Sequence, residues 1–461
     1  MKKTEVILLS IFVIILLFAF FIRVYNLGDS PLWIDESISA IASQNILEKG
    51  VPVLDSGVLY SRAYFFHYIM AFFMLFSHSD FAIRFISVIF GLLTIILGYF
   101  IGREYSKTSG ILTALFLGVF YLEVFFSRQA RFYQLFQLAF FASLYFLYKS
   151  KDKKWFGYLA VLFLFIAVDS HIAGLVLVPF FVFWLVIYNR KEWWLAVISA
   201  IPLLYNIVSF FSIPKSSFNA VSYVSYYASY ASNMYYLLIL AIPGSIWSYT
   251  KKKRLTLLLL IPSLVLLVGV FFVKLFAIRY TYFFVFPVIL YSSVLLGLLY
   301  EKYGKIILIP IIALLIIPSS LFFPYTYTNV ISPVKHEYRD FTSPTIDYKS
   351  VPKDLNNEMK NITTVVFFSP SFEWYVKKPD YVVDFSLSGL SDDIEINNLD
   401  VYSGAKIIKS KEEINGSYYL AADSFSLSKL NVQQMELFSS LKENCISSYK
   451  ANDLEIFRCR K

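Results

Sequence analysis

The stretch ILLSIFVIILLFAFFI at residues 7–22 decides the fold class, because it lacks charged side chains and, with its flanks, is long enough to cross a bilayer. Similar apolar runs recur along the chain. No small-residue cleavage site follows the first run, so we expect an uncleaved anchor. We predict about eleven membrane-spanning helices, near residues 7–22, 81–101, 110–127, 134–148, 155–168, 172–188, 193–212, 234–249, 255–273, 282–300 and 306–323.

The composition agrees with a membrane protein. Hydrophobic residues make up 58% of the 461 residues, charged residues only 16%, and the mean hydropathy is +0.62. These values exclude a cytosolic globular enzyme and intrinsic disorder. Residues 1–323 carry 25 Lys and Arg against 13 Asp and Glu, whereas residues 324–461 carry 16 against 19. Because the lysine clusters lie in short loops between apolar runs, we expect no nucleic-acid partner.

The distribution of lysine and arginine predicts the orientation of the chain. Residues 64–76 are apolar, but they number only 13 and indicate a juxtamembrane helix lying in the interface. With this helix flat, six loops that hold 16 Lys and Arg in 34 residues share one side. The positive-inside rule then places the N-terminus in the cytoplasm and the C-terminus outside, in a multi-pass protein of the cell membrane.

The composition changes at Pro324, so we divide the chain into a transmembrane domain, 1–323, and an extracytoplasmic α/β domain, 324–461. We expect a disulfide between Cys445 and Cys459, with two free thiols as the alternative. The expected strands lie near 363–368, 381–385, 406–409, 418–421 and 454–458, with a helix near 426–443.

Two arginines stand out in the short outer connection SRQARFY at residues 127–133. Arg128 and Arg131 lie on the predicted outer side, where the positive-inside rule disfavours basic residues. An unpaired charge at the outer interface costs several kcal/mol. The planar guanidinium fork fits phosphate, so a lipid phosphate is the natural partner. The alternative is that both side chains reach outward to bulk lipid headgroups.

An acidic pair follows the first predicted helix in PLWIDES at residues 31–37. At membrane depth, desolvation makes a carboxylate a better base, which favours a catalytic role for Asp35. The alternative is structural, since Asp35 and Glu36 also suit the first turn of a helix.

The order of these segments resembles the GT-C-fold glycosyltransferases, in particular the protein O-mannosyltransferases and lipid A aminoarabinose transferases. The resemblance rests on W-x-D-E after the first span, SDFAIRFIS at 79–87 and RQARFY at 128–133, and covers about residues 7–190. It implies that Asp35 is the catalytic base, and that Glu36 orients it or contacts the acceptor. It also implies that Arg128 and Arg131 hold the phosphate of a polyprenyl-monophosphate sugar.

Further candidates lie in other outer segments. Arg62 and Arg279 could reach the same phosphate, and His171 could contact phosphate or sugar. Aromatic side chains could stack on a sugar face. The predicted second outer loop, residues 128–133, lacks a carboxylate, which argues against a bound metal ion because a divalent cation needs several oxygen ligands. A phosphate is already a good leaving group once arginine stabilises its charge, so the reaction requires no metal ion. We therefore expect no cofactor. The aromatic candidates are Trp33, Tyr133 and Tyr280.

The sequence therefore predicts an inverting membrane glycosyltransferase. Its donor would be a polyprenyl-phosphate sugar, and its acceptor the hydroxyl of a protein, lipid or glycan. The first alternative is a transporter or flippase for a lipid-linked sugar, which should show polar residues deep in several spans. The second is a non-enzymatic scaffold displaying the C-terminal domain.

Overall fold

The computed structural model describes residues 3–188, 192–211, 234–270, 278–304, 345–383, 395–396, 398–451 and 453–460. The chain forms two compact units. The first contains Met1–Leu27, Arg62–Phe66 and Arg84–Lys335, and the second contains Gly28–Ser61, His67–Ile83 and His336–Lys461. The second unit thus combines most of the segment between the helices Lys3–Val24 and Asp80–Arg103 with the C-terminal residues, a grouping that the predicted boundary at 323/324 does not anticipate.

Apolar helices dominate the first unit, and two further helices lie in the segment between the first and second apolar helices that are long enough to cross a membrane. Numbered along the chain, the helices up to residue 303 are α1 (Lys3–Val24), α2 (Ile34–Lys49), α3 (Tyr64–Met74), α4 (Asp80–Arg103), α5 (Lys107–Val119), α6 (Tyr121–Phe126), α7 (Tyr133–Lys149), α8 (Trp155–Ser170), α9 (Leu177–Tyr188), α10 (Trp194–Phe211), α11 (Tyr235–Val270) and α12 (Val285–Tyr303).

Among the described residues, four helices are long and apolar enough to cross a membrane: Glu5–Val24, Asp80–Arg103, Tyr235–Val270 and Tyr282–Tyr303. The backbone of α11 leaves helical geometry at Lys252 (φ −136°, ψ 58°), between the two spans predicted on either side of TKKKR. The predicted span 306–323 lies outside the described residues. The total of eleven therefore stays a prediction, whereas α3 is confirmed as a short apolar helix.

Glycine permits close helix packing in the first unit. A Cβ atom at Gly244 would lie 2.0 Å from the carbonyl oxygen of Tyr291, so α11 and α12 approach more closely than any side chain would permit. A Cβ at Gly102 would similarly lie 2.9 Å from the Cα of Gly110, where α4 meets α5. Small residues at such contacts bring helix backbones together where the lipid supplies no hydrophobic driving force.

The C-terminal part is an α/β domain, as predicted. Its described strands form one sheet in the order β3-β4-β5-β2-β1-β6-β8-β7; the pairs β5/β2, β2/β1 and β1/β6 are parallel and the flanking pairs antiparallel. The strands are β1 (Thr363–Val366), β2 (Tyr381–Val383), β3 (Glu395–Ile396), β4 (Leu399–Asp400), β5 (Lys406–Ile408), β6 (Tyr418–Asp423), β7 (Cys445–Ala451) and β8 (Leu454–Cys459), and the helices are α13 (Lys353–Asn361), α14 (Ser369–Tyr375), α15 (Ser424–Leu427) and α16 (Val432–Lys442).

Each face of this sheet is covered by a different set of apolar side chains. On one face Val365, Leu420 and Phe457 pack with Leu441 of α16. On the other face, strand residues pack with α14 and with Ile34, Ile38 and Ala42 of α2. Burial of these side chains makes α2 a structural part of the α/β domain, although it lies near the start of the chain.

The predicted disulfide is confirmed. Cys445 and Cys459 are bonded to each other and are directly paired residues of the antiparallel strands β7 and β8. In the chain-entropy account, a loop of this length contributes about 3 kcal/mol to stability.

Candidate active site

Three of the predicted arginines lie around one histidine in the first unit. Arg62 precedes α3, Arg131 precedes α7, and Arg279 lies in a 3-10 turn before α12. Withdrawal of the His171 ring from water, together with the positive charges of these arginines, lowers the pKa of His171 to about 4. The ring is therefore neutral at pH 7. Because the Ala173 N–H donates to Nδ1 at 3.1 Å, its proton is on Nε2. Three cations and one neutral donor suit an anion.

Two of the predicted aromatic residues lie against this cluster. The guanidinium carbon of Arg131 is 5.7 Å from the ring centre of Tyr133, and that of Arg279 is 5.5 Å from the ring centre of Tyr280. The rings of His171 and Tyr280 are 6.3 Å apart. Tyr133 is only 5% exposed, so Tyr280, which is partly exposed, offers more surface to a ligand. Stacking of either ring on a sugar stays a prediction.

The position of Arg62 depends on an acidic residue that sequence reasoning missed. Asp169 accepts hydrogen bonds from the backbone N–H groups of Tyr64 (3.1 Å) and Phe65 (2.9 Å), the first residues of α3. Its backbone carbonyl accepts from the N–H of Ala63 at 2.9 Å. Ala63 is buried and has φ +50°, a strained value for a residue with a side chain. Asp169 thus fixes the start of α3 and, with it, the adjacent Arg62.

Arg128 has a different set of partners. Its Nη1 atom lies 3.0, 2.8 and 2.7 Å from the carbonyl oxygens of Ile22, Arg23 and Tyr25, and its Nη2 atom donates to that of Asn26 at 3.4 Å. These carbonyls lie at or just after the C-terminal end of α1, where a helix has unsatisfied acceptors and a partial negative charge. Arg128 therefore caps α1. Its predicted contact with phosphate stays untested.

The acidic pair lies at the start of α2 in the second unit. Trp33 precedes the helix, and the Glu36 carboxylate accepts from the Trp33 N–H at 3.2 Å, which satisfies one backbone donor at the start of α2. Glu36 is fully buried and Trp33 is 4% exposed, whereas Asp35, in the first turn, is partly exposed. The burial of Glu36 favours the orienting role over contact with an acceptor. The acidic pair thus belongs to the second unit, whereas the cluster of arginines around His171 belongs to the first.

A second polar network lies among the helices of the first unit. The hydroxyl of Tyr282 is 2.8 Å from Glu123 Oε2 and 2.6 Å from Gln134 Oε1, and Gln137 donates to Glu123 Oε1 at 2.8 Å. Arg23 is fully buried and donates to backbone carbonyls of α1 and α5. Glu123, Gln134, Gln137 and Tyr282 are thus hydrogen-bonded to one another among the helices of the first unit.

Comparison with known proteins adds a fold and a partial family match. The family described as dolichyl-phosphate-mannose-protein mannosyltransferase matches residues 61–217. ArnT from Cupriavidus metallidurans in the apo state is similar with a TM-score of 0.67 and 11% identity, over 99% of this chain and 98% of ArnT. The same protein bound to undecaprenyl phosphate gives 0.62 and 12%, with the same coverage. The apo oligosaccharyltransferase of Archaeoglobus fulgidus gives 0.58 and 11%, over 92% of this chain and 70% of that one. Among curated protein sequences, none matches.

The chain has the GT-C fold. The resemblance inferred from sequence is thereby confirmed. The family match includes four of the five residues expected around the phosphate: Arg62, Arg128, Arg131 and His171. Arg279 and the acidic pair lie outside the matched residues, and the catalytic role of the acidic pair stays a prediction from the sequence.

The described residues contain no group of three His, Cys, Asp or Glu side chains placed to hold a metal ion. A reaction without metal or cofactor remains an expectation from the sequence.

Proposed function

We propose that the protein is an inverting glycosyltransferase that moves a sugar from a polyprenyl-monophosphate donor to an acceptor hydroxyl on the outer face of the cell membrane. The observation that carries this proposal is the grouping of arginines around His171. The rings of Phe132 and Tyr280 each lie 6.3 Å from the His171 ring. The guanidinium carbon of Arg131 is 4.6 Å from the Phe132 ring centre and that of Arg279 is 5.5 Å from the Tyr280 ring centre, and the charge of Arg62 also acts on His171. Three guanidinium groups suit a phosphate, and a neutral imidazole adds a hydrogen-bond donor without adding charge.

The reaction follows from the chemistry of the leaving group. Asp35 takes the proton of the acceptor hydroxyl, and the oxygen attacks the anomeric carbon on the face opposite the phosphate. The bond between that carbon and the phosphate oxygen breaks, and its electron pair stays on the polyprenyl phosphate. Arginines stabilise the charge that develops there, so a second carboxylic acid is not required. One displacement inverts the configuration of the anomeric carbon.

Two comparisons support the donor class. The family match carries the name of an enzyme class that uses dolichyl-phosphate-mannose, and one structural relative has been solved with undecaprenyl phosphate. The acceptor class is left broad, as a protein, lipid or glycan. A cytoplasmic N-terminus and an external C-terminal domain are part of the same proposal, because the basic loops favour this orientation.

A transfer assay tests the proposal. Detergent-purified protein is incubated with polyprenyl-monophosphate sugars carrying labelled hexose or pentose, with a crude envelope fraction as acceptor. We expect transfer by the wild type, loss in Asp35→Asn and in Arg131→Ala, and retention in Arg103→Ala, the same Arg-to-Ala change at the last residue of α4. Equal transfer by Asp35→Asn and the wild type would show that the base is wrong. Absence of transfer from every donor would refute the enzyme.

The buried network around Glu123 favours a second candidate, a flippase for a lipid-linked sugar. Such a protein needs polar groups at membrane depth, and Glu123, Gln134 and Tyr282 provide them. In proteoliposomes holding a fluorescent polyprenyl-phosphate sugar, a flippase would move the lipid between leaflets, and Glu123→Gln would stop it. The proposed transferase leaves the lipid distribution unchanged.

A further inference from the structure

One buried carboxylate in the second unit gathers three side chains of the C-terminal domain. Asp80 is the first residue of α4 and is 6% exposed. Its Oδ2 atom accepts from the Tyr375 hydroxyl at 2.8 Å and from Lys349 Nζ at 2.8 Å, and its Oδ1 atom accepts from Trp374 Nε1 at 3.2 Å. A buried carboxylate with charged and neutral donors on both oxygens has a fixed position.

Two of these donors also hold the backbone that leads into α2. The Tyr375 hydroxyl accepts the N–H of Leu32 at 2.7 Å, and Lys349 Nζ donates to the carbonyl of Gly28. A Cβ at Gly28 would lie 3.1 Å from the Cβ of Phe81, so only glycine fits easily against the start of α4. Residues 28–32 are therefore held at both ends by side chains that also bind one carboxylate.

Further contacts with the C-terminal residues fix the start of α2. Trp33, which precedes the helix, forms an antiparallel backbone bridge with Thr345. The Ser37 hydroxyl lies 3.4 Å from that of Ser371 in α14. Together with the apolar packing of α2 on the sheet, these contacts leave the first turn of the helix, which contains Asp35, little freedom to move.

We propose that Asp80, Tyr375 and Lys349 form a positioning clamp through which the C-terminal domain fixes Asp35 for catalysis. The clamp rests on the proposed function, because it assigns these residues to the base of that reaction. None of the three touches the reacting atoms in this scheme, so all are positioning residues. The C-terminal domain thereby becomes a working part of the transferase.

The clamp predicts a separation of kinetic constants. Tyr375→Phe removes the hydroxyl that joins Asp80 to the Leu32 N–H and keeps the ring. A misplaced catalytic group costs about 10- to 100-fold in rate, so kcat should fall by that factor. The donor phosphate is assigned to arginines of the first unit, so KM for the donor should stay within about twofold.

The matched control is Tyr449→Phe. The Tyr449 hydroxyl also makes hydrogen bonds in this domain, at 2.9 Å and 3.2 Å to Ser350, but it does not contact residues 28–33 in any described bond. Tyr449→Phe therefore removes a comparable tyrosine hydroxyl and leaves the described hydrogen bonds among Asp80, Tyr375 and Lys349 in place. Asp80→Asn, which weakens the bonds to Lys349 and Tyr375, serves as the second test variant if Tyr375→Phe fails to fold.

The decisive measurement is a double-mutant cycle on kcat with Asp35→Glu, which keeps the carboxylate but moves it by one methylene group. If Tyr375 acts through Asp35, Tyr375→Phe should lower kcat much less in the Asp35→Glu background than in the wild type. Equal effects in both backgrounds, or kcat of Tyr375→Phe equal to that of Tyr449→Phe, would overturn the clamp. Full transfer by Asp35→Asn would instead show that Asp35 is not the base, and absence of transfer from every donor would overturn the proposed function.

Discussion

Substitution of Arg128 by glutamine should destabilise the folded protein by about 2–4 kcal/mol without weakening binding of a lipid phosphate. Nη1 lies near three carbonyls but carries two N–H groups, so it makes two full hydrogen bonds, and the fourth contact is long at 3.4 Å. A bond to a charged group is worth about 1.5–3 kcal/mol. The charge at the end of α1 adds about 0.3–1 kcal/mol, and glutamine recovers one neutral bond.

The assay compares Arg128→Gln with Arg131→Gln, the same change three residues along the chain. Thermal unfolding in detergent should show a lower midpoint for Arg128→Gln. Binding of a polyprenyl monophosphate should be about 10- to 100-fold weaker for Arg131→Gln, because a charge-assisted contact of about 1.5–3 kcal/mol is lost. Weaker phosphate binding by Arg128→Gln at an unchanged midpoint would refute the capping role and favour its predicted contact with the donor.

Three further outcomes follow from individual groups. The pKa of His171 is about 4 in the folded protein against 6.5 for an exposed histidine, so between these pH values the unfolded chain binds a proton and the folded protein does not. Stability should therefore fall as the pH drops from about 6.5 to about 4, and His171→Gln should abolish this fall in the thermal midpoint. Burial and the neighbouring Asp55 carboxyl raise the pKa of Glu373 from 4.5 to about 10, so the unfolded chain releases this proton at a lower pH than the folded protein. Stability should therefore decline as the pH rises above 4.5, and Glu373→Gln should reduce the pH dependence of the thermal midpoint between about pH 5 and 9. Asp169→Asn should weaken the start of α3 by about 0.5–2 kcal/mol and, through Arg62, weaken binding of polyprenyl phosphate severalfold, whereas Asp152→Asn should leave that binding unchanged.

The sequence predicted the elements whose signals are local. Apolar runs located most helices of the first unit, although the predicted span 110–127 is two helices, α5 and α6, which are separated at Phe120. Short apolar segments located β1, β2, β5, β6 and β8 within a few residues. The strand β7 was missed because its side chains are mostly exposed and show no apolar alternation. The packing of α2 on the C-terminal sheet was also missed, since periodicity reports which face of a helix is buried but not which distant segment covers it.

The candidate site divides in the same way. Convergence of Arg62, Arg131 and Arg279 on His171 agrees with a topology that places all four on one side of the membrane. The difference between Arg128 and Arg131 could not be read from the sequence, because it depends on which guanidinium reaches the end of α1. Asp169 was overlooked for a similar reason: its backbone donors lie in α3, more than a hundred positions earlier in the chain.

The placement of α2 on the C-terminal sheet has a consequence for how the protein is made. Ile34 and Ile38 share an apolar core with Ile456 of β8, although the apolar helices of the first unit separate them along the chain. During synthesis α2 is made long before the sheet on which it packs, so its core cannot be completed until β8 has been made. Completion of this domain must therefore wait for nearly the whole polypeptide, a period in which the apolar face of α2 lacks part of its cover.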